Sequence, residues 1–186
     1  MQKIIMIAGG MGVGKTKLAD GLEDALTRDG AWVYRTRFSK AVYQCHDLIT
    51  KHLRACGLTM KAKDRDLLRM IGSDWGRDCI SSDIWVKTLL SDISHREVRG
   101  KANFIIIDDL RFENEFNMKV DGVKIIKIRL TSSEECRKAR CSAWSDQPHD
   151  SEGGLDSIDD SKFHMVIDAE TNSASQVLAH VLAYVR

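Results

Sequence analysis

Gly9-Gly10-Met11-Gly12-Val13-Gly14-Lys15-Thr16 decides the reading of this 186-residue chain. The stretch fits G-x-x-x-x-G-K-[ST], a glycine-rich loop whose backbone N–H groups curl around phosphate oxygens. Both flanks supply the context that this mechanism needs. Ile4-Ile5-Met6-Ile7-Ala8 is a continuous apolar run and reads as a buried strand. Lys17 to Leu26 has the spacing of an amphipathic helix, so the loop would present phosphate to a helix N-terminus and its partial positive charge. A chance glycine turn beside a solvated lysine would need neither flank. Gly10, Met11, Gly12, Val13 and Gly14 then form the cradle, Lys15 reaches the β- and γ-phosphates, and Thr16 holds Mg²⁺. The expected ligand is ATP with Mg²⁺.

Bulk composition narrows the class. Hydrophobic residues make up 43% and charged residues 30%, an ordinary globular balance for one α/β domain with a sizeable core. Basic and acidic residues number 28 and 27, for a net charge of +1, which argues against a broad nucleic-acid-binding surface. The cysteines, Cys45, Cys56, Cys79, Cys136 and Cys141, are odd in number and show no C-x-x-C spacing, so reduced thiols are expected rather than a disulfide framework or zinc site. The first strand runs straight into the loop without a signal peptide, and no apolar run has membrane-spanning length. These features predict a cytoplasmic protein, monomer or homodimer, whose partners are small nucleotides, with no membrane and no stable nucleic-acid partner.

Outward from the loop, strands alternate with helices. Ala31–Arg37 reads as a second strand, Asn103–Asp109 as a third and fully buried one, Val123–Leu130 as a fourth and His164–Asp168 as a fifth. Helices are expected over Lys17–Leu26, Lys40–Cys56, Asp64 to about Ile80, Ile84–Leu90 and Asn114 to about Val120. Two more are announced by capping boxes, Ser132-x-x-Glu135 and Ser173-x-x-Gln176. The pattern predicts a five-stranded parallel sheet flanked by helices, the P-loop NTPase fold. Residues 38–100 form a helical insertion too long for a simple crossover, suited to an acceptor-binding lobe. Residues 132–155 are the expected lid.

Several constellations carry chemistry. Asp108 and Asp109 end the third strand, the position from which an acid orients Mg²⁺ in such folds; the sequence alone does not choose between them. Arg111 follows, with Glu115 four residues on as an orienting partner or a plain i,i+4 ion pair. Asp74-Trp75-Gly76-Arg77 interrupts a helical pattern; α-helical spacing would put Asp74 and Arg77 on one face, and Arg77 suits bidentate phosphate contact. Trp75 and Trp85 are candidates for a base-stacking wall, with simple packing as the alternative. Arg137 and Arg140 project from one side of the lid helix, where arginines neutralise a phosphoryl group in transfer, or else form a solvated basic face.

The arginines bear on the acceptor. A phosphate monoester is already anionic near neutral pH, its second pKa being ~6, so it needs cationic clamps rather than a general base. A hydroxyl acceptor would need a positioned carboxylate. Arg77, Arg111, Arg137 and Arg140 are many clamps, which favours a nucleoside monophosphate. The alternatives are a P-loop kinase with a hydroxyl acceptor, such as a modified base in phage DNA or dephospho-coenzyme A, and a non-enzymatic nucleotide-gated binding protein.

Gly72-Ser73-Asp74-Trp75-Gly76-Arg77, Asp83-Ile84-Trp85-Val86, Asp108-Asp109-Leu110-Arg111-Phe112-Glu113-Asn114-Glu115 and His149-Asp150-Ser151-Glu152 together resemble bacteriophage deoxynucleoside monophosphate kinases. With the glycine-rich loop, the resemblance spans about Ile4 to Leu155. It implies transfer of the γ-phosphoryl of ATP to a dNMP, an acceptor-binding helical lobe and a closing lid. It implies acceptor-binding positions for Arg77 and Arg111, and makes His149, Ser151 and Glu152 part of a motif. Phe38, Lys40, Asp74, Trp75, Trp85 and Glu115 complete the expected acceptor set, while Arg137 also faces ATP.

Overall fold

The computed structural model describes residues 2–94, 98, 101–141, 144 and 153–186. Its strands are β1 (Lys3–Ala8), β2 (Val33–Thr36), β3 (Phe104–Leu110), β4 (Lys124–Thr131) and β5 (Met165–Asp168). All pair in parallel, in the order β2-β3-β1-β4-β5. The apolar runs of β1 and β3 sit inside the sheet, with Ile4, Ile5, Met6 and Ile7 fully buried. Burial on both faces is why these strands read as unbroken hydrophobic runs. The helices are α1 (Lys15–Arg28), α2 (Lys40–Ala55), α3 (Arg65–Arg69), α4 (Ile84–Ser94), α5 (Glu113–Phe116), α6 (Glu134–Arg140) and α7 (Ala174–Val185). The chain divides into two compact units, residues 37–95 and the remainder.

The sheet unit is built around one face of the sheet. Leu18, Ala19, Leu22 and Leu26 of α1 and Val177, Val181 and Val185 of α7 pack with Ile5, Ile7, Ile106, Ile126 and Ile128. Strand alternation sends the intervening side chains to the opposite face. There Lys127 lies over Phe116 at 3.8 Å and Arg129 over Phe163 at 4.2 Å. The box at Ser173 and Gln176 caps α7 as the sequence predicts. The one expected at Ser132 does not form. Ser133 caps α6 instead, accepting from Cys136 N–H, and its own N–H donates to Glu170 at 2.9 Å. Helix α6 is thereby tied to the turn after β5, and the same hydrogen bonds hold the Glu170 carboxyl below its ordinary pKa. Helix α5 is also shorter than expected, because Met118 N–H turns back to Glu115 O and a further turn closes from Val123 to Val120.

The helical unit differs more from expectation. Asp64 caps α3, but the α-helix ends at Arg69 and the chain continues as a wide i→i+5 helix over Met70–Ile80. Trp85 of α4 explains the widening. It is buried in a core with Val42 and Ile71, and its indole N–H donates to Gly72 O at 2.7 Å. A Cβ on Gly76 would overlap the Trp85 ring and lie 2.6 Å from Ile71 O, so only glycine fits there. All five cysteines are free thiols. Among the described residues no helix is long and apolar enough to cross a membrane.

Candidate active site

The glycine-rich loop lies between β1 and α1, as its spacing requires. Gly14 is the N-cap of α1 with φ +107°, a left-handed conformation that glycine adopts without strain. Lys15 Nζ donates to Gly9 O at 2.6 Å and Gly10 O at 2.9 Å, so its charge lies over the loop. Arg137 approaches from the lid helix. Its guanidinium donates to Met11 O at 3.2 Å and occupies the space beside Gly10, while it faces the ring of Trp144 at 5.4 Å. Sequence spacing anticipated an arginine here but not its contact with the loop's own main chain. Arg140 takes another direction, donating to Ala169 O at 3.0 Å in the turn after β5.

The strand-end acids point to opposite faces. Asp108 is 3% exposed and shares the α1 face of the sheet. Arg35 of β2 donates to it at 2.7 Å and also pairs with Asp20 of α1. Burial would lower the Arg35 pKa, but the hydrogen bonds and charges of Asp108 and Asp20 outweigh it, so the guanidinium is held charged more firmly than usual. Thr16 sits one helical turn before Asp20. Asp108 and Thr16 are thus tied to the same helix, and their hard oxygen donors suit Mg²⁺, which takes one or two protein oxygens and completes its shell with phosphate and water. Asp109 is half-buried on the other face.

Past the end of β3, Glu115 is 1% exposed and works on the main chain. Its Oε2 accepts from Arg111 N–H at 2.9 Å and Phe112 N–H at 3.1 Å. This satisfies the N–H of the α5 N-cap, Phe112, and of the residue before it, and fixes the backbone that carries Arg111. Arg111 lines a cleft of about 520 Å³ with Gly9, Gly10, Arg129, Arg137 and Leu155 among its walls. Arg129 is a cleft residue that spacing did not single out. Its signal is the alternation Lys127-Ile128-Arg129-Leu130, which places a cation on the less apolar face of a central strand. Arg35 carries a similar signal in Val33-Tyr34-Arg35-Thr36, a charge on a strand beside one that ends in acids.

The remaining acceptor candidates lie in the helical unit. Arg77 is half-buried and its Nη1 donates to Gly72 O at 3.1 Å, one wide turn back. Asp74 is more exposed and faces Arg69 at 3.4 Å. Asp74 and Arg77 do not share a face as α-helical spacing predicted, because i→i+5 geometry makes Gly72 the axial neighbour of Arg77. Trp75 is exposed, whereas Trp85 is in the core, where its ring supports Gly72 and Gly76 instead of offering a stacking surface. Phe38 is buried, and Lys40 pairs with Asp92 at 2.7 Å. Lys40 and Asp92, with Arg37, line a separate cleft of about 320 Å³ within this unit. His149, Ser151 and Glu152 lie outside the described residues.

No protein-family profile matches the chain, and no curated protein matches its sequence. Solved structures do resemble it. A sugar kinase from Janibacter sp. HTCC2649 is 16% identical with a TM-score of 0.59, over 99% of this chain and 94% of that one. TT1252 from Thermus thermophilus is 17% identical with a TM-score of 0.56, over 100% and 98%. A gluconokinase from Sinorhizobium meliloti 1021 is 13% identical with a TM-score of 0.51, over 98% and 91%. At such identities the likeness speaks for the fold alone: this chain has the five-stranded parallel α/β fold of P-loop kinases.

Proposed function

We propose that the chain is an ATP-dependent kinase that transfers the γ-phosphoryl group to a deoxynucleoside monophosphate. The observation that carries this reading is the cleft in the sheet unit, which Arg111 and Arg137 line beside Gly9 and Gly10 of the glycine-rich loop. Two arginines lining one cleft suit a reaction between two anions, in which repulsion is the main barrier to encounter. The sugar-kinase and gluconokinase neighbours agree with phosphoryl transfer as the general chemistry. The resemblance of the W-G-R and D-D-x-R-F-x-N-E blocks to those of bacteriophage deoxynucleoside monophosphate kinases favours a dNMP as acceptor.

In this reading Lys15 and the main-chain donors from Gly10 to Gly14 hold the β- and γ-phosphates. Thr16 and Asp108 would hold Mg²⁺, which would offset negative charge on the phosphates. The acceptor's phosphate oxygen forms a bond to the γ-phosphorus as the bond from that phosphorus to the β,γ-bridging oxygen breaks, giving dNDP and ADP. Arg137 stabilises the equatorial oxygens in transfer. Arg140 joins it in lid closure once released from Ala169 O. Arg111 is an acceptor-binding arginine of the sheet unit, and Arg77 one of the helical unit. Phe38, Lys40, Asp74 and Trp75 complete its binding set, Trp85 and Glu115 act as supports, and Asp109 is the second acid near the metal. Closure excludes water and keeps ATP from simple hydrolysis.

A panel of dNMPs and the matching ribonucleotides, incubated with Mg·ATP and assayed for ADP, tests the proposal. Diphosphate formation from at least one dNMP is expected. ATP binding without transfer to any of them would sink it.

A further inference from the structure

We infer that Arg129 and Gly154 are positioning residues that clamp the main chain at Arg111 from the side opposite Glu115. The inference deepens the proposed kinase reading and rests on it for the identity of the acceptor. The clamp itself is geometric. Arg129 leaves the end of β4 and is held on three sides. It donates to Asp160 at 2.6 Å and to Leu155 O at 2.7 Å, and its guanidinium lies over Phe163 at 4.2 Å. The 153–160 segment is therefore fastened to the sheet by a charge-assisted bond at each end. Its own turns, Asp156 N–H to Gly153 O and Ile158 N–H to Leu155 O, fix the main chain between these points.

Gly154 lies where this segment meets the turn after β3. A Cβ there would come within 2.5 Å of Arg111 O and 3.3 Å of Phe112 Cδ1. The obstacle is backbone, so a side chain at residue 154 must push the Arg111 peptide away. Arg111 is thus held on its N–H side by Glu115 and crowded on its carbonyl side by Gly154. Both contacts are with the Arg111 main chain. The arrangement aims a long flexible side chain into the cleft by fixing its root, which reduces what must be ordered when an anion binds. It also gives the glycine that ends the His149–Gly154 stretch a physical reason.

The test uses the full chain with Gly154→Ala and Arg129→Met, and Arg129→Lys as the conservative variant. Amide hydrogen exchange at Arg111 and Phe112, read by NMR, reports the clamp without any need for activity. Exchange about tenfold faster in G154A and R129M, with β1 amides unchanged and R129K intermediate, is expected. In the kinase assay the dNMP KM should rise about tenfold while the ATP KM stays within about twofold. Adding Arg111→Ala to G154A should cost much less than in the wild type, since both changes spoil the same group. Unchanged exchange in both folded variants overturns the clamp. So does accelerated exchange with an unmoved dNMP KM, which would reduce it to a stability contact. If the wild-type protein phosphorylates no dNMP, the functional reading fails, and the exchange rates alone decide the clamp.

Discussion

The two units place charge in different ways. In the sheet unit each candidate group hangs from an element whose register is fixed by parallel hydrogen bonding. Asp108 faces α1 because Ile106 does, and a slip by one residue would exchange it with Asp109. In the helical unit Arg77 is placed by packing. Its guanidinium meets the Gly72 carbonyl only because the helix is wide, and the helix is wide where Trp85 lies against Gly76. The candidate groups of the sheet unit thus rest on regular geometry and those of the helical unit on an irregular element. Wide turns of this kind often mark functional positions.

The comparison can be broken at several points, the heaviest first. Lys15→Met should lower kcat by about 10²–10³-fold, since the lysine charge that lies over the loop's carbonyls is lost. Asp108→Asn should follow. It weakens the Mg²⁺ set and removes the carboxylate charge facing Arg35, so activity falls and stability drops by about 2 kcal/mol. Asp109→Asn should cost less than about tenfold. Titrating both variants with Mg²⁺ checks the order, and the reverse ranking would put the metal on the Asp109 face of the sheet.

In the helical unit, Arg77→Ala should raise the dNMP KM by an amount worth about 2 kcal/mol and leave the ATP KM nearly untouched. A small change would favour a hydroxyl acceptor or a purely structural Arg77. Gly76→Ala should destabilise this unit by about 1–3 kcal/mol, because the new methyl meets the Trp85 ring and Ile71 O. Trp85 fluorescence should report that loss.

The smallest effect belongs to the far edge of the sheet. Burial, with Lys127 and Lys124 nearby, lowers the His164 pKa from its ordinary 6.5. The unfolded chain then binds the proton more readily than the folded one, so stability falls as pH drops through and below 6.5. The imidazole also accepts from Lys127 N–H at 3.1 Å, which protonation at Nδ1 would break. Because the ring is mostly exposed, the dependence should be shallow, and a His164→Asn variant should flatten it further in a pH series of melts.

The sheet unit was legible because its signals are local. Alternation, apolar runs and the loop pattern each fix geometry within a few residues, and they yielded the strands, the loop and the candidate acids. What escaped the sequence was contact across the chain. Arg35 meets Asp108, Arg129 meets Leu155 and Asp160, and Glu170 replaces Glu135 at the cap of α6. No spacing rule links such positions. The wide helix escaped for a related reason: its cause, Trp85, lies on the next helix. Glu115 shows a middle case, since its distance from Arg111 suggested a side-chain pair and the structure shows it gripping the Arg111 and Phe112 main chain.

The central claim is that the glycine-rich loop is the donor half of a site that joins two phosphates. Phosphorus NMR of the protein with Mg·ATP and a single dNMP tests this most directly. The γ-phosphate signal of ATP should be lost as ADP and dNDP resonances grow together in equal amount, with little inorganic phosphate. Appearance of inorganic phosphate alone, or of a new phosphomonoester on a sugar hydroxyl, would contradict it.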